Sequence, residues 1–302
     1  MHDGPLVNRT VVITGAARGL GAALARDLAR RGARLALLGH EREALEEVAR
    51  SVPVPALAEE VDVTDGAGLC RAARRVRAAL GPVSVVVANA GIAEGGPFAA
   101  SDPDRWRRVI DVNLTGSALT ARAFLPDLRE TAGYYLQVAS LASCAAAPMM
   151  SAYCASKAGV EAFAHALRAE EAHHGVAVGI AYMNWTDTDM IRAADRYRAL
   201  RELRGHMPPP ARRVHSVERV TARLARAVED RRTAVYVPGW LRLAQVSRAA
   251  LPALVLRASR RRLSALEAAG VPLGDTGLLG AGGRADEAAA DTGAGPGGRP
   301  PG

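Results

Sequence analysis

The sequence predicts an α/β protein built on a single, doubly wound parallel sheet of about seven strands, with helices on both faces. Two observations support this prediction. Short runs rich in β-branched residues, such as Thr10 to Thr14 (TVVIT) and Val83 to Ala88 (VSVVVA), have the composition of buried strands. Stretches of helical length, rich in Ala, Leu and Arg, separate these runs, and regular alternation of strand and helix is typical of a parallel sheet.

The elements follow one another in a regular order along the chain. The predicted strands are Thr10 to Thr14, Arg34 to Leu38, Ala56 to Val61, Val83 to Ala88, Tyr134 to Ser140, Val176 to Tyr182 and Ala234 to Val237. The predicted helices are Leu20 to Arg31, Glu41 to Ser51, Asp65 to Leu80, Pro103 to Arg129, Ser151 to His174 and Val217 to Asp230. Because crossover connections are right-handed, the carboxyl ends of these strands should meet at one edge, where such sheets bind ligands.

The chain is expected to divide into three parts. Residues 1–239 are predicted to form one domain, in which residues 189–216 are an insert near the ligand edge, typical of a lid. Residues 240–273 are predicted to be a basic helical extension. Residues 274–302 are dominated by Gly, Ala, Pro and Asp, which predicts a tail without fixed structure.

The charge of the chain is a weak guide to its partners. The net charge is +8, but 38 of the 39 basic residues are arginine, which indicates a general compositional bias. No nucleic-acid partner is therefore predicted. The single lysine, Lys157, stands out against this bias, since something has kept it a lysine.

Targeting signals are not recognisable in the sequence. The first residues lack the apolar stretch of a secretory signal, and the three cysteines show no CxxC spacing, so a cytoplasmic protein is predicted. Residues 240–262 contain six arginines and no acid. Two interpretations of this segment stay open: a helix docked over the substrate site or at a dimer contact, and a basic amphipathic helix in peripheral contact with a membrane surface.

A glycine-rich turn follows the first strand. Gly15, Gly19 and Gly21 lie between that strand and the next helix, with the spacing GxxxGxG. Glycines there let the backbone approach a pyrophosphate, and the helix end offers free N–H groups. Alone, the pattern would fit an ordinary tight turn equally well.

Three residues form a candidate acid/base group. Ser140 ends the fifth strand, and Tyr153 and Lys157 lie four residues apart on one face of the next helix. A nearby ammonium group lowers the pKa of a tyrosine, so this spacing can produce a general acid. A Tyr and a Lys four apart are often a surface pair, but the sole lysine of the chain makes that interpretation unattractive here.

Together these motifs resemble the short-chain dehydrogenases/reductases, NAD(P)-dependent oxidoreductases with a Rossmann-type fold. The resemblance extends from about Thr10 to Gly239 and implies that residues 1–239 are the catalytic domain. It rests on motifs in the family order: the turn from Thr14 to Gly21, Asp62-Val63, Ala88-Asn89-Ala90-Gly91, Trp106 with Val112 to Gly116, Ser140, and Tyr153 with Lys157.

The resemblance implies a role for each of these positions. Tyr153 would exchange a proton with the substrate oxygen, Lys157 would lower the pKa of Tyr153 and bind the nicotinamide ribose, Ser140 would position the carbonyl, and Asn113 would hold a relaying water. Cofactor contacts are expected from Thr14, Gly15, Gly19, Leu20, Gly21, Asp62, Val63, Asn89, Ala90, Gly91, Tyr153, Lys157 and Thr188. This chain departs from the family pattern shortly before Thr188, where Met183-Asn184 stands in place of the usual Pro-Gly. No metal ligand is predicted.

The choice of cofactor depends on the residues around the second strand. No Asp follows that strand to bind a ribose hydroxyl, whereas Arg18, His40 and Arg42 could accommodate a 2′-phosphate. NADP(H) is therefore favoured over NAD(H), with Glu41 as the residue that argues against it.

The substrate and partners are predicted in outline. The apolar segment Leu141 to Met150 favours a lipophilic ketone or alcohol, interconverted by hydride transfer. The resemblance implies a homodimer or homotetramer that pairs the long helices Pro103 to Arg129 and Ser151 to His174. The alternative function is a dinucleotide sensor or scaffold that keeps the fold without turnover.

Overall fold

A parallel sheet forms the centre of the protein. The computed structural model describes residues 4–293. Its strands are β1 (Thr10–Thr14), β2 (Arg34–Gly39), β3 (Ala56–Glu60), β4 (Val83–Ala88), β5 (Tyr134–Val138), β6 (Ala177–Met183) and β7 (Ala234–Val237). They pair in the order β3-β2-β1-β4-β5-β6-β7, all parallel. The predicted fold class is confirmed.

Helices connect the strands and cover the sheet. They are α1 (Gly19–Ala29), α2 (Arg42–Arg50), α3 (Gly66–Leu80), α4 (Pro103–Ile110), α5 (Gly116–Glu130), α6 (Ser151–Glu171), α7 (Asp189–Ala194), α8 (Arg198–Gly205), α9 (Pro209–Arg212), α10 (Val217–Glu229), α11 (Leu241–Val246), α12 (Leu251–Ala268) and α13 (Gly280–Gly293). Within the described residues, the predicted lid insert 189–216 contains α7, α8 and α9.

Two apolar cores lie on opposite faces of the sheet. Val11 and Ile13 point into a core shared with α1, α2 and α10, whereas Val12 points into one shared with α3, α5 and α6. Alternate side chains of a strand face opposite sides, so a strand buried on both faces must be apolar throughout. Val11, Val12 and Ile13 meet this requirement, and Thr10 and Thr14 at the two ends are also buried, with their hydroxyl groups hydrogen-bonded.

The C-terminal region differs from its prediction. The expected lack of structure in residues 274–302 is wrong for residues 274–293. Leu278 forms an antiparallel bridge with Glu94, and α13 follows it. Leu278 and Leu279 are buried against residues such as Val63, Ile92 and Ala93, which offsets the low hydrophobicity of their surroundings. The rest of the predicted tail, 294–302, lies outside the described residues.

No helix among the described residues combines the length and the apolar character needed to cross a bilayer.

Candidate active site

One cleft collects the residues that follow six of the strands. Its walls come from the turn after β1, from 39–41 after β2, from 61–63 after β3, from 89–92 after β4, from 138–140 at β5 and from 183–191 after β6. The parallel topology places these segments at the same edge of the sheet. The cleft therefore contains most of the residues that the sequence singles out.

The glycine turn is shaped for close approach of a ligand. Gly15 and Gly19 have positive φ angles of 63° and 53°, which side-chain-bearing residues seldom adopt. A Cβ atom on Gly21 would overlap the Gly15 carbonyl oxygen and lie 2.8 Å from Asn89 Nδ2. The turn leads directly into α1, whose first N–H groups lack partners within the helix. This arrangement fits a pyrophosphate group.

Thr14 and Asn89 hold the turn against the loop after β4. The Thr14 hydroxyl oxygen accepts the backbone N–H groups of Asn89 and Ala90, each at 3.0 Å. Asn89 Nδ2 donates to the carbonyl oxygens of Thr14 and Gly15 at 2.9 and 3.2 Å. Asn89, Ala90 and Gly91 line the cleft, whereas Thr14 is buried behind it.

Asp62 and Val63 lie at the end of the cleft where an adenine ring is expected. Burial alone would raise the pKa of Asp62, but hydrogen bonds from the Thr64 N–H, Arg108 and the Thr64 hydroxyl bring it below its ordinary value. Arg108 Nη2 donates to Asp62 Oδ2 at 2.6 Å. Asp62 is thus a fixed carboxylate at the rim of the cleft.

Of the three residues expected to bind a 2′-phosphate, Arg18 and His40 line the cleft and Arg42 does not. Arg18 lines the cleft, but its Nε donates to Glu41 Oε2 at 2.8 Å and its Nη2 donates to the other oxygen. His40 lines the cleft, and its buried Nε2 has no hydrogen-bond partner among the described residues. Arg42 lies outside the residues that line the cleft, because it faces the carboxylates of Glu60 and Glu46.

Ser140, Tyr153 and Lys157 lie together in the cleft. Lys157 Nζ is 5.6 Å from the centre of the Tyr153 ring and donates to the Val138 carbonyl oxygen at 3.2 Å. Burial raises the pKa of Tyr153 to about 12, with the Ser140 hydroxyl acting in the opposite direction. Burial also lowers the pKa of Lys157 to about 8. The lowered tyrosine pKa expected from Lys157 is absent from this arrangement, because burial of the Tyr153 hydroxyl raises its pKa.

Asn113 stands behind this group in a wide turn of helix. Residues Asp111–Thr115 form a π-helical turn between α4 and α5, a feature often found at functional sites. Asn113 is fully buried, accepts the Ile92 N–H at 2.8 Å, and donates to the Ile92 carbonyl and the Ser156 hydroxyl, each at 2.9 Å. It therefore supports the loop after β4 and does not line the cleft itself.

The first turn of α7 lines the cleft with Asp189, Met190 and Ile191. Thr188 precedes this helix and lines the cleft, and a Cβ atom on Gly19 would lie 3.7 Å from Thr188 Cγ2. Leu20 lines the cleft from α1. Thr188 is consequently within reach of a ligand on the glycine turn, despite the Met183-Asn184 substitution.

A model of the short chain dehydrogenase family matches residues 9–198. The chain belongs to this family. The match includes the glycine turn and all three residues of the candidate acid/base group, so the fold and motif order now have independent support.

Individual short-chain dehydrogenases are similar to this chain at modest identity. The bovine dehydrogenase/reductase SDR family member 7B is 33% identical over 193 residues, which are 61% of this chain and 59% of that protein. The cis-4-hydroxycyclohexanecarboxylate dehydrogenase of Sinomonas cyclohexanicum is 36% identical over 188 residues, 61% of this chain and 75% of that enzyme. The crystal structure of a metagenomic short-chain oxidoreductase in complex with NADP has 33% identity and a TM-score of 0.57, covering 60% of this chain and 84% of that chain.

The C-terminal segment of this short-chain dehydrogenase contributes cleft residues that the sequence did not predict. Leu279, Gly280, Gly282, Gly283 and Asp286 all line the cleft. The segment is attached by backbone hydrogen bonds from Thr276 to the Gly95 carbonyl and from Leu279 to the Ala93 carbonyl, each of 2.8 Å. The adjacent Leu278-Leu279 was the one apolar signal in an otherwise Gly- and Ala-rich tail.

An arginine couples this segment to the adenine end of the cleft. Asp286 is 3% exposed, and its two oxygens accept from Arg108 Nε at 2.8 Å and Nη2 at 2.6 Å. Arg108 also binds Asp62, so one guanidinium group joins α4, the loop after β3 and α13.

Replacing Arg108 by glutamine is expected to release the C-terminal segment. The change leaves Asp286 buried without its charge partner, at a cost of about 3 kcal/mol, so amide exchange in residues 274–287 should accelerate ~100-fold. Hydrogen-exchange mass spectrometry measures this directly. Arg107→Gln is the matched control, since the exposed Asp104 is the one ion-pair partner of Arg107 among the described side chains. Equal protection in both variants would contradict the coupling.

Among the described residues, no group of three or more His, Cys, Asp or Glu side chains is arranged to hold a metal ion.

Proposed function

We propose that this protein is an NADP(H)-dependent oxidoreductase that interconverts a carbonyl and a secondary alcohol on a lipophilic small molecule. The observation that carries the proposal is the shared cleft: Ser140, Tyr153 and Lys157 line the same space as the glycine turn. A cofactor on that turn would extend along the strand ends toward Tyr153.

The residues of the cleft fit the cofactor. The glycine turn leaves room that a Cβ atom would fill, and the buried His40 Nε2 lacks a partner among the described residues. Gly91 likewise leaves space next to Lys157, since a Cβ atom at this position would lie 3.5 Å from Lys157 Nζ. When bound, the nicotinamide ring supplies or accepts the hydride.

The chain's own residues manage the proton and the orientation of the substrate. In the reductive direction the Tyr153 hydroxyl gives its proton to the carbonyl oxygen as the hydride reaches the carbon, so a ketone becomes an alcohol. Ser140 donates a hydrogen bond to the same oxygen and positions it. Lys157, which is 4% exposed, places a positive charge beside the tyrosinate that remains.

The surroundings of Tyr153 favour a lipophilic substrate. Its ring packs against an apolar cluster that includes Met149, Met190, Leu266 and Leu279. These side chains come from the loop after β5, the insert, α12 and the C-terminal segment, so four separate parts of the chain pack around Tyr153. Apolar walls with few polar groups are typical of sites for hydrophobic small molecules.

NADP(H) is proposed as the cofactor on the strength of Arg18, in the glycine turn after β1, and His40, which follows β2. Both lie where a 2′-phosphate would be bound, and the similar metagenomic oxidoreductase was solved with NADP. Glu41 opposes this choice because it occupies the Arg18 guanidinium. A 2′-phosphate would have to take Arg18 away from Glu41.

Replacing Glu41 by glutamine should therefore increase the preference for NADPH. Arg18 loses its anionic partner and becomes free for the phosphate, which we expect to improve the NADPH over NADH ratio of kcat/KM about tenfold. Steady-state kinetics with both cofactors measure the ratio. Glu43→Gln, with the same change of charge on the exposed face of α2, should leave it unchanged. A ratio that moves toward NADH in the Glu41 variant would contradict the assignment of Arg18 as a ligand of the 2′-phosphate.

The proposed function is tested by following NADPH and NADH oxidation with a panel of lipophilic ketones. Turnover that prefers NADPH supports the proposal. Tight cofactor binding without turnover of any compound in either direction would favour the alternative function, a dinucleotide sensor or scaffold. Failure to bind either cofactor would overturn the interpretation of the glycine turn as a pyrophosphate site. A homodimer or homotetramer that pairs α4, α5 and α6 stays a prediction, to be checked by analytical ultracentrifugation.

A further inference from the structure

Exposed apolar side chains are concentrated on the C-terminal extension. Seven large apolar residues are strongly exposed within the described part of the chain, and four of them fall between Leu243 and Leu256. Leu243 is 72% exposed, Val246 81%, Leu254 61% and Leu256 70%. Scattered apolar residues are normal on a protein surface, but a local group of this kind usually marks a contact with a partner.

The first turns of α12 project from the protein. On its inner side, Leu251, Val255 and Leu263 are partly covered and Leu266 is buried. The opposite side presents Ala253 and Leu256, and then Arg257, Arg260 and Arg261, which border a common groove. The stretch from Ala249 to Leu256 carries no charge. The helix thus has an apolar start and a basic continuation on one exposed face.

The arginines of this surface are free of acidic partners. Arg242, Arg257, Arg260, Arg261 and Arg262 are exposed, and among the described side chains none of them forms an ion pair. Arg248 is the exception, because its Nη1 donates to Glu161 Oε1 at 2.8 Å. Residues 240–262 contain no acid, so the surface has a net positive charge, and Glu161 is the one described carboxylate that forms an ion pair with it.

We propose that this surface, Leu243 to Arg262, docks on an anionic phospholipid membrane. The uncharged first turns of α12, with Leu243 and Val246 of α11, would enter the interfacial layer, and the arginines would contact the lipid phosphates. A second copy of the chain fits less well. A symmetric contact through this face would bring the same arginines together, with no carboxylate from either copy to pair with them.

The position of α12 connects this surface with the cleft. Leu263 and Leu266, at the other end of the helix, pack in the apolar cluster around Tyr153. The helical rise from Leu256 to Leu263 is about 10 Å. Docking would thus hold the cleft close to the lipid. The benefit to a lipophilic substrate rests on the proposed function, whereas the docking itself does not.

The test is co-sedimentation of the full chain with phosphatidylcholine vesicles, with and without about one third phosphatidylglycerol, in about 0.1 M salt. Binding is expected only to the anionic vesicles. The triple variant R257Q/R260Q/R261Q should lower the partition coefficient ~100-fold, since each arginine near the surface contributes about fivefold. L254S/L256S should lower it about tenfold or more, because the apolar contact is lost. All five side chains are exposed, so both variants should melt like the parent.

A charge-matched control distinguishes binding by this particular surface from attraction by the overall positive charge of the protein. Arg219, Arg223 and Arg226 on α10 are exposed and form no ion pair among the described side chains, and R219Q/R223Q/R226Q removes the same charge. This control should keep at least half of the binding. Equal loss in both triple variants, or no binding of the parent chain to anionic vesicles, overturns the proposal. So does a parent dimer that L254S/L256S converts to a monomer while vesicle binding is unchanged.

Discussion

Replacing Tyr153 by phenylalanine is expected to lower kcat by roughly two to four orders of magnitude, the usual contribution of a general acid. The change removes one oxygen atom and leaves the ring in its apolar surroundings beside Met149 and Met190. Cofactor affinity should change little, because the glycine turn and the loop after β4 are untouched. Fluorescence titration with NADPH, together with single-turnover kinetics on the best ketone of the panel, separates the two effects.

Tyr236→Phe is the matched control for this experiment. Its ring stacks on Tyr182 with the ring centres 5.0 Å apart, and its hydroxyl makes no hydrogen bond to any described residue. It should retain full turnover. If Tyr153→Phe kept more than about a tenth of the parent rate, Tyr153 would not be the proton donor and the catalytic assignment would fail.

Lys157→Met should abolish most turnover and yet stabilise the folded protein. Burial lowers the pKa of Lys157 from 10.5 to about 8, which means that the folded state holds the charged amine at a cost. That difference corresponds to on the order of 3 kcal/mol, the gain expected for the neutral side chain at pH 7. Turnover should fall about 100-fold or more, since the positive charge beside Tyr153 is lost.

The pH dependence of this gain identifies its cause. Below pH 8 both the folded and the unfolded parent chain bind the proton, so the full cost is present. Between about pH 8 and 10.5 the unfolded chain binds more protons than the folded one, and the stability of the parent rises with pH. The advantage of Lys157→Met should therefore shrink through this window.

Urea unfolding of parent and variant at several pH values measures the difference. Because the sequence has no other lysine, no second ammonium group of this type titrates in the window. Tyrosines other than Tyr153 are the same in both proteins, and their contribution cancels. A gain that is constant with pH would indicate better packing of the methionine and would contradict the electrostatic explanation.

Much of the cleft could be predicted because local rules determine it. Gly15 and Gly21 follow a buried strand, and the parallel topology brings that turn to the same edge as Ser140. Tyr153 and Lys157 share a helix face simply through their spacing of four residues. These placements need only the order of the elements and the geometry of strand and helix.

Other features of the site could not be predicted, because they depend on ion pairs between residues that lie apart in the sequence. Arg18 could not be known to pair with Glu41, since a chain with 38 arginines offers many partners for each acid. Asp286 finds Arg108 across 178 positions, within a segment whose Gly- and Ala-rich composition shows no helical periodicity. The Tyr153–Lys157 spacing also predicted a lowered pKa for Tyr153, whereas burial of the Tyr153 side chain raises it.

The single lysine makes the cleft accessible to chemical footprinting. Amine-acylating reagents have only one side-chain target in this sequence, and that target is the Nζ of Lys157 inside the cleft. With its pKa lowered to about 8, a useful fraction of this amine is nucleophilic near neutral pH, although burial slows the reagent's access. Acylation of this one position, read by mass spectrometry with and without added dinucleotide, would report occupancy of the site without a known substrate.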